Sequence, residues 1–190
     1  MSKDLQIIKE LKNKFRSFHY KIHNNEVIEL RLTRKGVINK DLKLIGKLTS
    51  LQELNLCLNK LTTIQGLDNI TKLKKLYLSA NKITEIQSLS KLSELETLDL
   101  SGNKITKIEG LDNLNKLINL YLTYNRLTTI EGLDNLTELK ELDLACNQIT
   151  EIKGLDNLAR LEWFNLGKNN IPEEEIKQFK INYPKIKVHD

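Results

Sequence analysis

Asparagine returns every 22 residues at Asn59, Asn81, Asn103, Asn125, Asn147 and Asn169, with no insertion in the series. Each copy stands in the frame L-x-x-[LF]-x-L-x-x-N-x-[LI], a coincidence that chance does not produce. The first copy reads Leu51, Leu54, Leu56, Asn59 and Leu61, then Ile64, Leu67, Ile70 and Leu73. Every unit therefore carries its own apolar stripe, which one unit alone cannot bury and a stack of units can. A degenerate copy begins at Val27 with Leu30, Leu32 and Val37 in register. It holds Lys35 at the asparagine position and runs two residues longer, and it brings the expected count to seven repeats over residues 27–171.

Within a unit the two halves differ in period. L-x-L alternates with period two, so one face of a short strand is buried and the other exposed, and stacked strands make a parallel sheet. The remainder, such as Ile105 to Leu114 in ITKIEGLDNL, is too short for a long helix and has Gly and Asp at a bend. That composition predicts 3₁₀ or single helical turns. The expected fold class is α/β: a right-handed solenoid curving with its parallel sheet on the concave side, short turns on the convex side and helical caps at both ends.

This pattern resembles the leucine-rich repeat, in the short 22-residue class found in the type 1 protein phosphatase regulatory subunit and in bacterial internalins. The resemblance covers residues 27 to about 171 and implies protein binding of many unrelated kinds, so it names no partner. It also implies a structural role for the asparagines, buried at the turn with their amides satisfying backbone groups left by sheet and turns.

An open stack needs caps. Leu5, Ile8, Leu11 and Phe15, spaced by three and four with lysines between, predict an amphipathic helix over residues 3–18 within an amino-terminal helical cap, 1–26. Pro172 followed by Glu173, Glu174 and Glu175 predicts a helix start, with acid at the positive end of the dipole. Ile176, Phe179 and Tyr183 give this carboxy-terminal cap, 172–190, one apolar side, and Pro184 ends it. One continuous domain is expected, with no room for a second, catalytic one.

The chemical signals are weak. Cys57 and Cys146 fall four units apart, about 19 Å at roughly 4.8 Å per strand step, and are expected to be free thiols. His19 and His23 are spaced for a two-ligand clamp on a helix, but no third ligand accompanies them, so no metal site is expected. Asn69-Ile70-Thr71 and Asn135-Leu136-Thr137 match a glycosylation acceptor only because the GLDNL repeat creates it. With no P-loop, GxSxG, HExxH or dinucleotide-binding glycine pattern, neither catalysis nor a cofactor is expected. No secretory leader or long apolar run is present, which places the chain in the cytosol and off the membrane.

The net charge of +5 is unevenly spread: residues 1–47 hold 12 basic and 5 acidic side chains, residues 48–190 hold 18 and 20. On the sheet face Arg31, Arg34, Lys75 and Lys168 stand against Glu29, Glu53, Asp99, Glu141 and Asp143, a slightly acidic balance unsuited to a phosphate backbone. Aligned by the period, one outward column reads Arg31, Asn55, Tyr77, Asp99, Tyr121, Asp143, Asn165, with Leu58, Tyr124 and Trp163 on neighbouring columns. In a chain that is 5% aromatic, this gathers three of five tyrosines and the lone tryptophan onto one surface.

The expectation is accordingly a monomeric, non-catalytic cytoplasmic adaptor or regulator. It binds a protein partner carrying a basic segment through Leu58, Tyr77, Asp99, Tyr121, Tyr124, Asp143 and Trp163. Two alternatives stand beside it: association with nucleic acid through the basic amino-terminal end, since one spliceosomal member of the family resembles this architecture, and regulation of a phosphatase or other enzyme.

Overall fold

A computed structural model describes residues 2–190. The chain runs α1 (Lys3–Phe15), β1 (His19–His23), β2 (Glu26–Arg31), α2 (Asn39–Ile45), then β3 (Glu53–Asn55), β4 (Lys75–Tyr77), β5 (Thr97–Asp99), β6 (Asn119–Tyr121), β7 (Glu141–Asp143) and β8 (Trp163–Asn165), and closes with α3 (Glu173–Asn182) and β9 (Lys187–His189). All nine strands join one open sheet in sequence order, antiparallel between β1 and β2 and parallel thereafter. This is the expected solenoid.

Each of β3–β7 is three residues long, with a central leucine in the core. Leu54, Leu76, Leu98, Leu120 and Leu142 are fully buried and pair one beneath the other. The convex segments make separate single turns closed by i to i+3 bonds, as in Leu114 N–H to the Leu111 carbonyl (2.9 Å) and Leu117 to Leu114 (2.9 Å). The two extra residues of the first repeat let that segment wind into a true helix, α2, whose Asp41 carboxylate accepts from the Ile38 amide at its start (3.0 Å).

The asparagines tie each repeat to the one before. Asn103 Nδ2 donates to the carbonyls of Leu100 (2.9 Å) in its own repeat and Leu78 (3.1 Å) in the preceding one, and its Oδ1 accepts from Ile83 N–H (3.0 Å). The same three bonds recur at Asn81, Asn125, Asn147 and Asn169. Asn59 reaches back to the Leu32 carbonyl and accepts from Lys35 and Val37, so the first repeat is served without an asparagine of its own. A second set lies on the convex side: Asn113, Asn135 and Asn157 donate to the carbonyls of Ser90, Asp112 and Asp134. Asn135 of the apparent acceptor motif is thereby engaged in the framework.

At the amino end α1 buries Ile7, Ile8, Leu11 and Phe15, Ile7 taking the place expected for Leu5. Asp4 accepts from Val27 N–H (2.8 Å) and Lys14 pairs with the buried Asp41, joining helix to sheet and to α2. The helix stops at Phe15 instead of continuing to residue 18, and the following residues form a hairpin. Asn24 and Asn25, both at positive φ, close a two-residue turn between β1 and β2. His19 and His23 therefore lie on a strand, and His19 Nε2 sits 3.2 Å from Glu29. At the carboxy end Phe179 is buried edge-on against Phe164 and stacks on Tyr183, while β9 adds a last strand beside β8.

Candidate binding surface

The uninterrupted period fixes the sheet's register, and with it the outward columns. Arg31, Asn55, Tyr77, Asp99, Tyr121, Asp143, Asn165 and His189 are successive pairing partners across eight strands. One residue pair away runs Glu29, Glu53, Lys75, Thr97, Asn119, Glu141, Trp163 and Lys187. Beyond the strands, Leu58 and Tyr124 stand in the column just before the asparagines, 44% and 62% exposed.

That last column has a conformational signature. Arg34, Leu58, Ala80, Gly102, Tyr124, Cys146 and Lys168 all adopt positive φ, between 54° and 64°. The left-handed residue turns the chain out of the strand so that the next side chain, the asparagine, points inward. Such a conformation costs a side-chain-bearing residue about 1 kcal/mol relative to glycine. The turn requires this backbone geometry; it does not require a bulky apolar side chain standing in solvent.

The acids have local work as well. Asp99 Oδ1 accepts from Ser101 N–H (2.9 Å) and Asp143 Oδ1 from Ala145 N–H (3.0 Å). Asn55 and Asn165 do the same toward Cys57 and Gly167, a side-chain turn repeated down the column. Only one oxygen of each carboxylate is so used. Tyr121 donates its hydroxyl to Glu141 (2.5 Å); burial, then that bond and charge, push its ionisation far above the ordinary tyrosine range. Tyr77 is raised too, chiefly by burial and then by Glu53. Both rings present faces with their protons retained. Trp163 is half-buried and packs on His189, with ring centres 5.4 Å apart, which ties it to the carboxy-terminal end of the sheet.

Charge is ordered along the face. At its amino end Arg31 bridges Glu29 (2.6 Å) and Glu53 (3.0 Å). Across β4 to β7 the two strand columns hold Lys75 against Asp99, Glu141 and Asp143, and beyond β8 stand Lys168, Lys187 and His189. An acidic stretch thus lies between a balanced amino end and a basic carboxy end. Outside the face, Lys74–Glu96, Lys116–Glu94, Lys140–Glu162 and Arg160–Glu138 pair side chains 22 residues apart, exposed bridges of small individual worth.

Cys57 and Cys146 are free thiols. Cys57 accepts a contact from Ser79 Oγ (3.1 Å), and burial raises its ionisation. No group of three His, Cys, Asp or Glu placed to hold a metal ion occurs among the described residues, and no helix there is long and apolar enough to cross a membrane.

With fold and face in place, comparison with known proteins gives one consistent result. Residues 71–113 and 115–158 match the model for paired leucine-rich repeats. A leucine-rich repeat protein of Leptospira interrogans is 31% identical, with TM-score 0.73 over 77% of this chain and 39% of its own. An internalin of Listeria monocytogenes is 27% identical (TM-score 0.76; 96% of this chain, 56% of its own), and internalin C2 of the same organism is 26% identical (TM-score 0.76; 97% and 82%). The chain thus spans well under two thirds of the first two structures. No curated protein sequence matches it significantly. The chain is a leucine-rich repeat protein, similar in fold to the internalins.

Proposed function

We propose that this chain is a non-catalytic interaction module that binds a protein partner on its concave face, as a small cytoplasmic adaptor or regulator. One observation carries the reading: Tyr77, Asp99, Tyr121 and Asp143 are successive partners in one column, flanked by the exposed Leu58 and Tyr124. Tyrosine offers large, rigid, amphipathic area with little rotamer freedom to lose, and an acidic surround selects a basic partner. The free thiols suit a reducing compartment. Regulation of an enzyme by such a module is one form the role takes.

The nucleic-acid alternative draws on the basic amino-terminal end, where two of the lysines already serve the fold. Lys14 pairs with Asp41, and Lys12 donates to the Tyr20 hydroxyl (3.1 Å). The experiment is affinity capture from native extract with the parent chain, Tyr124→Ala and Lys107→Ala side by side. The reading expects a protein retained by the parent and Lys107→Ala and lost from Tyr124→Ala. Retention by all three, or nuclease-sensitive capture that fades steeply with salt, would contradict it.

A further inference from the structure

We propose that the segment received by the concave face is a polyproline-II helix carrying one basic and one apolar residue in each three-residue turn. The inference rests on the concave-face reading above and specifies the conformation and pattern of the partner. Its basis is the alternation Tyr77, Asp99, Tyr121, Asp143 down one registered column. Strands in a sheet stand about 4.7–4.9 Å apart, so the two tyrosines repeat at about 9.4–9.8 Å, as do the two acids, offset by one step. A polyproline-II helix repeats every three residues at 3.1 Å each, about 9.3 Å, with i and i+3 on one face. An apolar ridge over the tyrosines and a basic ridge over the acids then share the same repeat from Tyr77 to Asp143.

Other backbones fit less well. An extended strand returns to one face after about 6.6–6.8 Å, out of phase within a single period. Successive turns of an α-helix rise about 5.4 Å, so over the two strand steps from Tyr77 to Tyr121 two turns overrun by about 1.0–1.4 Å. A helix also bonds its own carbonyls internally, whereas polyproline II leaves them for outside donors. Donors are available here: the hydroxyls of Tyr77 and Tyr124 make no hydrogen bond to any described residue, unlike Tyr121. Charge biases the position along the face, since the acidic stretch across β4 to β7 is followed by Lys168 and Lys187, whereas Arg31 and Arg34 at the other end are balanced by Glu29 and Glu53. A basic segment is drawn to the acidic stretch and repelled from the carboxy-terminal end.

The test uses the whole chain and three arginine-bearing peptides at physiological salt, read by fluorescence anisotropy. The first repeats Pro-Pro-Arg, the second has the same residues with arginines clustered, and the third is an alanine-rich helix with arginines at seven-residue spacing. The triplet peptide is expected to bind at least tenfold tighter than the other two. Asp99→Asn and Asp143→Asn should each weaken it several-fold. Both substitutions keep the oxygen that accepts the backbone bond, because Asn55 and Asn165 already make that bond in the same column. Lys107→Ala should leave affinity unchanged. Equal or tighter binding of the clustered or helical peptide, with the aspartate dependence intact, overturns the polyproline-II inference while leaving a basic partner on the concave face. No binding of the triplet peptide overturns it as well. Binding indifferent to both aspartates removes the inference together with the column as its site.

Discussion

Asn103 and Asn125 each satisfy three buried backbone groups drawn from two repeats. Replacing either with alanine should cost about 1–3 kcal/mol, seen as a lower chemical-denaturation midpoint. An unchanged midpoint in both variants would remove the ladder from the account of stability. Glycines give a second contrast at this scale. Gly102 and Gly132 both have positive φ, at 64° and 76°. A Cβ on Gly102 would come no closer than 3.4 Å to Ala80, and six other repeats hold a side chain at the same place, so Gly102→Ala should cost about 1 kcal/mol. A Cβ on Gly132 would lie 2.2 Å from the Ile108 carbonyl oxygen of the preceding repeat, and backbone there has nowhere to go. Gly132→Ala should therefore exceed Gly102→Ala by about 1–3 kcal/mol in the same denaturation measurement. Equal losses would mean that the convex bends are looser than this packing.

At the level of elements, what the sequence made legible was whatever its own pattern buries. L-x-L placed β3 to β8 and the spacing of Ile8, Leu11 and Phe15 placed α1, because those residues alternate between core and solvent. β1 and β9 escaped notice for the opposite reason. Apart from Tyr20 and Val188, which are half-buried, their residues are exposed, and they exist as strands only because β2 and β8 offer an edge to pair with. Asn24-Asn25 was the available sign of a hairpin before β2. Two extra residues marked the first repeat as unusual without saying that they wind into α2. The capping role of α1 makes a direct expectation. Deleting residues 1–16 keeps the β1–β2 hairpin but uncovers the apolar edge that Ile7, Ile8, Leu11 and Phe15 close. The shortened chain should aggregate or melt earlier, by light scattering and thermal denaturation. A monomer with the parent's melting temperature would mean that α1 is a free basic arm instead of a lid.

Across the whole molecule the repeat makes position predictable and detail less so. A period of 22 without insertion lets residues be assigned to columns before any coordinates exist, and the pairing follows those columns residue for residue. The period says nothing of how a side chain at a column is occupied. Tyr121 leaning its hydroxyl on Glu141, and Asp99 and Asp143 each lending one oxygen to the backbone, depend on the identity of neighbours one repeat away or two residues on. Nor does it reveal that Leu58 and Tyr124 stand on a left-handed residue. These details decide which substitution probes binding cleanly. Removing Tyr121 also releases Glu141, whereas Tyr124 is 62% exposed and its hydroxyl bonds no described residue, its backbone bond to Ala145 being kept by alanine. With a captured partner in hand, titration calorimetry of the parent chain, Tyr124→Ala and Lys107→Ala tests the concave-face claim most directly. Binding on the concave face should show a loss of about 2 kcal/mol, some thirtyfold in Kd, for Tyr124→Ala and none for Lys107→Ala. Equal affinity for all three, with binding that instead follows the amino-terminal lysines and falls steeply with salt, would contradict it.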